Sequence, residues 1–392
     1  MRAFRLFLQM LISGHLVYSF TGHGQTSPVI LEPYTFSTLA GSTTRGYTNG
    51  MGRAAQFYFP AGVVLDAAGN LYVADRGNSV IRKITPSGVV TTLAGQPGVK
   101  GFADGHGPSA QFDNAYGLAM DPQGNILVAD SWNNVIRTIA PDGSVSTFAG
   151  DSSQLNQYGH IQSGYVDGPR SSAQFFQPTD VAVDKNGNVY VADWLNYALR
   201  KIDGGGQVTT VARFERDGIF NVAVDGSGNV LVPDDRGTAI HKVTPAGVVT
   251  TFVGKSRSPG LVDGIGSAVR FSRIAGVVVD RDGNLFVADP PVVRKVTPQG
   301  EVATLGGAAV GYADGIGLRA HFQDPTGMTV DSDGTLYFAD SGNNNVRTGV
   351  PAQVSLSVGP ASIPKGGHFG FSLMGPTDQM YPSGGLALAR RG

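Results

Sequence analysis

Residues 62–95 read GVVLDAAGNLYVADRGNSVIRKITPSGVVTTLAG, and residues 117–150 repeat them as GLAMDPQGNILVADSWNNVIRTIAPDGSVSTFAG. A chain that repeats a unit of this length builds one supersecondary element again and again, because a single copy cannot bury its own apolar face. Further copies open at Asp180, Asn221, Gly276 and Gly327, which makes six. In every copy an aspartate closes the first apolar run: Asp66, Asp121, Asp184, Asp225, Asp280 and Asp331. A glycine follows three residues later (Gly69, Gly124, Gly187, Gly228, Gly283, Gly334), and a second aspartate ends the next run (Asp75, Asp130, Asp193, Asp234, Asp289, Asp340).

Each copy holds four short runs rich in Val, Ile, Leu, Tyr and Thr, here called strands a to d. In the first copy they fall at about Gly62–Leu65, Leu71–Ala74, Val80–Thr85 and Val89–Ala94. The a–b turn is Asp-x-x-Gly-Asn, where the aspartate accepts local backbone N–H groups and glycine takes a positive φ. The c–d turn is Pro-x-Gly, as in Pro86-Ser87-Gly88. Four-stranded antiparallel units on glycine-rich links predict an all-β fold, the blades of a β-propeller, and 56 glycines without a collagen period agree with many tight turns. The sixth copy stops after strand c at Asn345-Val346-Arg347, while an orphan strand, Phe36–Gly41, precedes the first copy and matches Thr91–Gly95. Residues 35–350 therefore predict one six-bladed ring, closed by that N-terminal strand in blade six.

The pattern Asp-x-x-Asn-x-x-(Ile/Leu/Val)-Arg recurs in register as Asp75/Asn78/Ile81/Arg82, Asp130/Asn133/Ile136/Arg137, Asp193/Asn196/Leu199/Arg200 and Asp340/Asn343/Val346/Arg347. It resembles the NHL repeat, over about four-fifths of the chain. Blade four departs, with Gly237 and His241 in place of Asn and Arg, and blade five departs with Pro290-Pro291 and a shortened b–c loop. Equal residues in equal blades solve an equal packing problem: Asp and Asn cap the b–c turn, and Arg ties neighbouring elements.

The same logic applies to YADGIGLRAHF at 312–322, which alone looks like a calcium or phosphate loop. It is one of five equivalents, with YTNGMGRAAQF at 47–57, FADGHGPSAQF at 102–112, YVDGPRSSAQF at 165–175 and LVDGIGSAVRF at 261–271. Each connects an outer strand d to the next inner strand a, so its aspartate, glycine and closing phenylalanine are read as wiring from rim to channel. One carboxylate per connector falls short of a divalent-ion shell.

If repetition marks structure, departures mark candidate function. Connectors and b–c loops share one face of a propeller, and that face carries the long insertions. The inner strand opens with glycine in four blades but with Asp180 and Asn221 in blades three and four. Both tryptophans, Trp132 and Trp194, lie in b–c loops of blades two and three, beside Tyr197. The longest connector, Asp151–Gln177, contains His160; the shortest, Arg213–Asp217, leads into blade four and should leave a notch beside Asp235 and Arg236. These eight residues are the candidate ligand face for an unknown protein, peptide or glycan. The alternative is a lyase or hydrolase at the channel mouth, as in amidating-lyase-like or lactonase-like propellers. The inner strands GVVLD, GLAMD, DVAVD, NVAVD, GVVVD and GMTVD carry no histidine or glutamate, and no Gly-x-Ser-x-Gly elbow occurs in the propeller. The sequence therefore implies no catalytic set, metal or cofactor.

Lys+Arg total 29 against Asp+Glu 30, which leaves no basic footprint for nucleic acid, and the absence of cysteine removes disulfides and thiolate chemistry. Arg2 and Arg5 precede an apolar stretch to Phe20, followed by Gly22 and Gly24 at cleavage-site spacing; residues 1–24 read as a secretory signal peptide of a bacterial, monomeric, secreted, periplasmic or cell-surface protein. No later run predicts a membrane span. Residues 351–392 leave the repeat: VSLSVGPASIPKGGHFGFSL alternates like two strands of a β-module too short to complete a sandwich, and YPSGGLALARRG reads as a truncated or frame-altered end.

Overall fold

A computed structural model describes residues 34–156, 161–214, 218–234 and 236–352, together with two short strand pairs, Val17–Tyr18 with Val29–Ile30 and Ser355–Ser357 with Ser372–Met374. Most of the 1–24 leader and of the 353–392 tail lie outside the described residues, as do His160 and Asp235.

Six antiparallel sheets follow one another around a central channel. In blade one, strands a to d are Pro60–Leu65, Leu71–Asp75, Val80–Ile84 and Val89–Ala94, within two residues of the sequence reading. Ring closure is as expected: Tyr34–Gly41 is strand d of blade six and pairs with Asn345–Pro351, Phe36 facing Gly349. In the a–b turns, Asp66 Oδ1 accepts the Ala68 and Asn70 N–H groups, and the same bonds recur at Asp121, Asp184, Asp225, Asp280 and Asp331.

The apolar core consists of six clusters, one between each pair of neighbouring blades. The connector phenylalanines Phe57, Phe112, Phe175, Phe271 and Phe322 are wedged into five of them, fully buried. Each contributes roughly 1.5–3 kcal/mol of burial. At the blade three–four interface, where the connector motif is missing, Phe214 takes that place.

The repeated polar residues form one clamp. Arg137 is fully buried, donates to Asp130 Oδ2 at 3.0 Å and to Asp104 Oδ1 of the connector at 2.5 Å, and also bonds the Gln111 and Ala103 carbonyls. Its guanidinium lies between the connector's two aromatic rings, 4.7 Å from Phe102 and 5.4 Å from Phe112. Asn133 ties Asp130 to the Gly101 carbonyl. Arg82, Arg200 and Arg347 repeat the arrangement with Asn49, Asp167 and Asp314, and Arg294 keeps the carboxylate and carbonyl bonds, with Asp289 and Asp263, against the single ring of Phe271. The aspartate of YADGIGLRAHF is thus the second partner of a buried arginine.

The connector also has a role that composition does not signal. Gly50–Met51, Gly105–His106, Gly168–Pro169, Gly264–Ile265 and Gly315–Ile316 each add a fifth, two-residue strand to the outer edge of their own blade. Blade four has four strands: Ala223–Val224, Val230–Pro233, Ala239–Val243 and Val249–Gly254.

Candidate functional site at the channel mouth

The inner strands approach so closely at their first residues that most positions there must be glycine. A Cβ on Gly62 would lie 2.3 Å from the Tyr116 carbonyl oxygen, and one on Gly276 would lie 2.1 Å from that of Thr326. Asp180 and Asn221 occupy this constriction. The Asp180 carboxylate sits against Gly117, its Oδ2 accepting the Val222 N–H at 3.0 Å and the Asn221 Nδ2 at 3.5 Å. The Asn221 carboxamide oxygen is buried with no hydrogen-bond partner among the described residues. Both residues line a channel cavity of about 250 Å³ whose other polar side chains are Tyr116 and Thr329.

Asp180 makes no ion pair among the described residues, and burial pushes its carboxyl up to about 7 against the pull of the Val222, Val181 and Asn221 donors. An unfolded aspartate titrates near 3.8, so the folded state holds this proton more tightly and stability falls as pH rises from about 4 to about 7. Asp180→Asn, which mimics the protonated acid, is expected to raise the unfolding free energy at pH 5 by only about a third of its effect at pH 8.5. At pH 8.5 it should raise the unfolding free energy by about 1–2 kcal/mol. Urea melts at the two pH values check this; equal effects at both would rule it out.

An aromatic arc stands beside this pair. Phe220, preceding Asn221, packs edge-on against Trp194 (5.7 Å, 83°) and Tyr116 (4.9 Å, 87°), so blades two, three and four each contribute one ring. The Arg76 guanidinium lies 5.1 Å from the Tyr116 ring and 5.9 Å from that of Phe59. Burial raises the Tyr116 phenol above its ordinary range; the Arg76 and Arg273 charges oppose this, and those of Asp324 and Asp180 add to it. Arg273 and Asp324 form a hydrogen-bonded ion pair.

Of the sequence candidates, the structure brings Asp180 and Asn221 together and places Trp194 in the arc through Phe220. Trp132 stands apart: it is exposed, and the Lys100 ammonium lies 4.5 Å from its ring centre. Trp132 is the second residue of its b–c 3-10 turn and Trp194 the first, and one step in such a turn rotates a side chain by about 120°. Tyr197 ends its turn in a left-handed conformation (φ 53°) with its ring exposed, and Arg236 is exposed. Sequence reasoning missed Tyr116, Phe220, Arg76, Arg273 and Asp324. The residue before the inner-strand opening reads Ala61, Tyr116, Thr179, Phe220, Ala275 and Thr326, so a column-by-column comparison of blades would have shown two aromatics among small residues.

The NHL repeat model matches residues 57–84 and 175–201, strands a to c of blades one and three. Two blades of this six-bladed β-propeller thus carry NHL repeats. The chain is similar to human teneurin-4, 24% identical over an alignment of 385 positions that covers 83% of this chain and about 14% of the length of that relative. Among solved structures it is similar to an auxiliary nutrient binding protein from Bacteroides ovatus (TM-score 0.63, 18% identity, 82% of this chain and 77% of the other). It is also similar to a streptogramin B lyase (TM-score 0.54, 10% identity, 81% and 97%). At these identities the likeness concerns the fold. Among the described residues of the NHL propeller no helix is long and apolar enough to cross a membrane, and no three His, Cys, Asp or Glu side chains gather as a metal site.

Proposed function

We propose that this NHL propeller is an exported binding module whose ligand sits at the channel mouth, on the arc of Tyr116, Phe220 and Trp194 above Asp180 and Asn221. The observation that carries the reading is the buried Asn221 acceptor, unpartnered among the described residues, beside a second acceptor, Asp180, in a cavity that Tyr116 of the three edge-packed rings also lines. Two acceptors beneath aromatic faces suit a ligand that offers hydroxyl or ammonium donors and an apolar face, as sugars and some peptides do. The nutrient-binding function in the name of the B. ovatus neighbour agrees with a small-ligand mouth. The module is proposed to act as a monomer outside the cytoplasm.

Glycan and peptide arrays probed with the whole chain test the reading. Trp194→Ala is expected to weaken retention at least tenfold on the ligand class that wild type holds, while Trp132→Ala, outside the arc, changes it less than threefold. No retention by wild type, or equal retention by Trp194→Ala, overturns the proposal.

A second reading has one observation in its favour. A carboxyl held near pH 7 beside a phenol can serve as a general acid or base. On that reading the mouth is a lyase or hydrolase site, and Asp180→Asn abolishes turnover of a lactone and lyase substrate panel while the chain stays folded. Absence of turnover by wild type across the panel removes this reading and leaves the first standing.

A further inference from the structure

In five blades the fifth strand covers the outer edge of strand d in one repeated register. The connector glycine faces Val90, Val145, Val208, Val302 or Phe36. Two residues on in blades one, two, three and five, a connector N–H donates to the glycine carbonyl of the c–d turn, as Gly52 does to Gly88 at 2.8 Å and Gly266 to Gly300 at 3.0 Å. The connector carboxylate then accepts the next outward N–H of strand d: Thr147, Thr210 and Thr304 donate to Asp104, Asp167 and Asp263.

Blade four has nearly the same strand d. Val248-Val249-Thr250-Thr251 stands where blade one has Val89-Val90-Thr91-Thr92, yet no strand lies against it among the described residues. The five residues equivalent to Val249 are at most 3% exposed, whereas Val249 is 38% and Val248 57% exposed. The Thr244 N–H donates to the Val248 carbonyl within the c–d hairpin, so alternation turns the Val249 N–H and carbonyl, and the Thr251 N–H, outward. The Thr251 hydroxyl lies 3.4 Å from His241 Nδ1, the histidine that stands where the clamp arginine stands elsewhere. Proteins normally guard such an edge, and among the described residues five of the six are guarded.

We propose that the outer edge of blade four receives an extended segment of a partner protein by strand addition, and that the segment carries an aspartate directly before a glycine. The chain's own connectors define this chemistry: x-Gly pairs with Val249, and the carboxylate bonds the Thr251 N–H and hydroxyl. Backbone pairing supplies affinity and the aspartate supplies selectivity. The site lies at the rim and is separate from the channel mouth.

The test titrates a synthetic peptide of residues 102–112, FADGHGPSAQF, into the isotope-labelled whole chain and follows amide shifts and hydrogen exchange. Saturable shifts at Val249 and Thr251, with exchange there slowed at least tenfold, are expected. Val249→Pro removes an outward donor and no bond to strand c, so it should weaken the peptide at least tenfold with the fold retained. A Val248→Lys/Val249→Lys double variant should do the same without proline, and the peptide with Asp104→Asn should bind several-fold more weakly. Absence of shifts at millimolar peptide, or binding unchanged in both variants, overturns the proposal. So does a concentration-dependent dimer that Val249→Pro abolishes, because the edge would then pair with a second copy of this chain.

Discussion

Arg137→Ala is expected to lower the unfolding free energy at pH 7.5 by about 3–5 kcal/mol, the range for removing one partner of a buried ion pair. The reason lies in what remains: Asp130, fully buried, keeps the Asp113 N–H and Asn133 as donors but loses its cation, and the connector loses its bonds at Ala103 and Gln111. Burial already pushes the Asp130 carboxyl up to about 6 against the pull of Arg137, and without the arginine it rises further. An acid whose folded pKa exceeds its unfolded value loses stability as pH rises through that interval. The penalty in Arg137→Ala should therefore shrink when the melt is repeated at pH 5, where the variant buries a neutral acid. Asp104→Ala, which removes the half-exposed partner, should cost only about 1 kcal/mol. A loss below about 1 kcal/mol in Arg137→Ala, or a penalty that grows toward pH 5, would contradict the clamp.

The second large effect concerns ring closure. Gly62→Ala places a methyl group 2.3 Å from the Tyr116 carbonyl and 2.9 Å from the Leu118 nitrogen. Both are backbone atoms of the neighbouring inner strand, so no side chain can turn aside. A cost of about 2–3 kcal/mol follows, toward the upper end for overpacking, because blades one and two must part. The displaced residue is Tyr116, whose ring belongs to the arc, so weaker array retention should accompany the lost stability. Gly226→Ala, which meets nothing within 4 Å at ordinary φ, serves as the control and should change neither. A stable Gly62→Ala protein with normal retention would mean that the inner ring is looser than described.

The ring, its blade count and its closing strand were legible because six copies solve one packing problem, and the missing last strand has its counterpart at the N-terminus. The clamp was half legible. Asp130, Asn133 and Arg137 fall within eight residues and invite grouping, whereas Asp104 lies 33 residues before Arg137. That separation of 33 recurs at Asn49–Arg82, Asp167–Arg200 and Asp314–Arg347, a regularity that pairs the two motifs. It drops to 31 at Asp263–Arg294, where the b–c loop is shorter. The fifth strands gave no signal, since two residues such as Gly315-Ile316 inside a glycine-rich segment have no strand periodicity and pair only because an edge awaits them. At the mouth, Asp180 and Asn221 stood out as departures from glycine. Tyr116 and Phe220 were hidden one residue earlier, and adjacency of loops grouped Trp132 with Trp194, which one step of the 3-10 turn places apart.

The central claim is that residues shared by the blades hold the NHL propeller together while residues that differ bind its ligand. The most direct measurement compares Asp314→Ala, taken from YADGIGLRAHF, with Phe220→Ala on the same glycan and peptide arrays, at a temperature where both are folded. The account predicts that Asp314→Ala is retained like wild type despite a lower melting temperature, while Phe220→Ala loses at least tenfold. Loss of retention in Asp314→Ala with full retention in Phe220→Ala would contradict it.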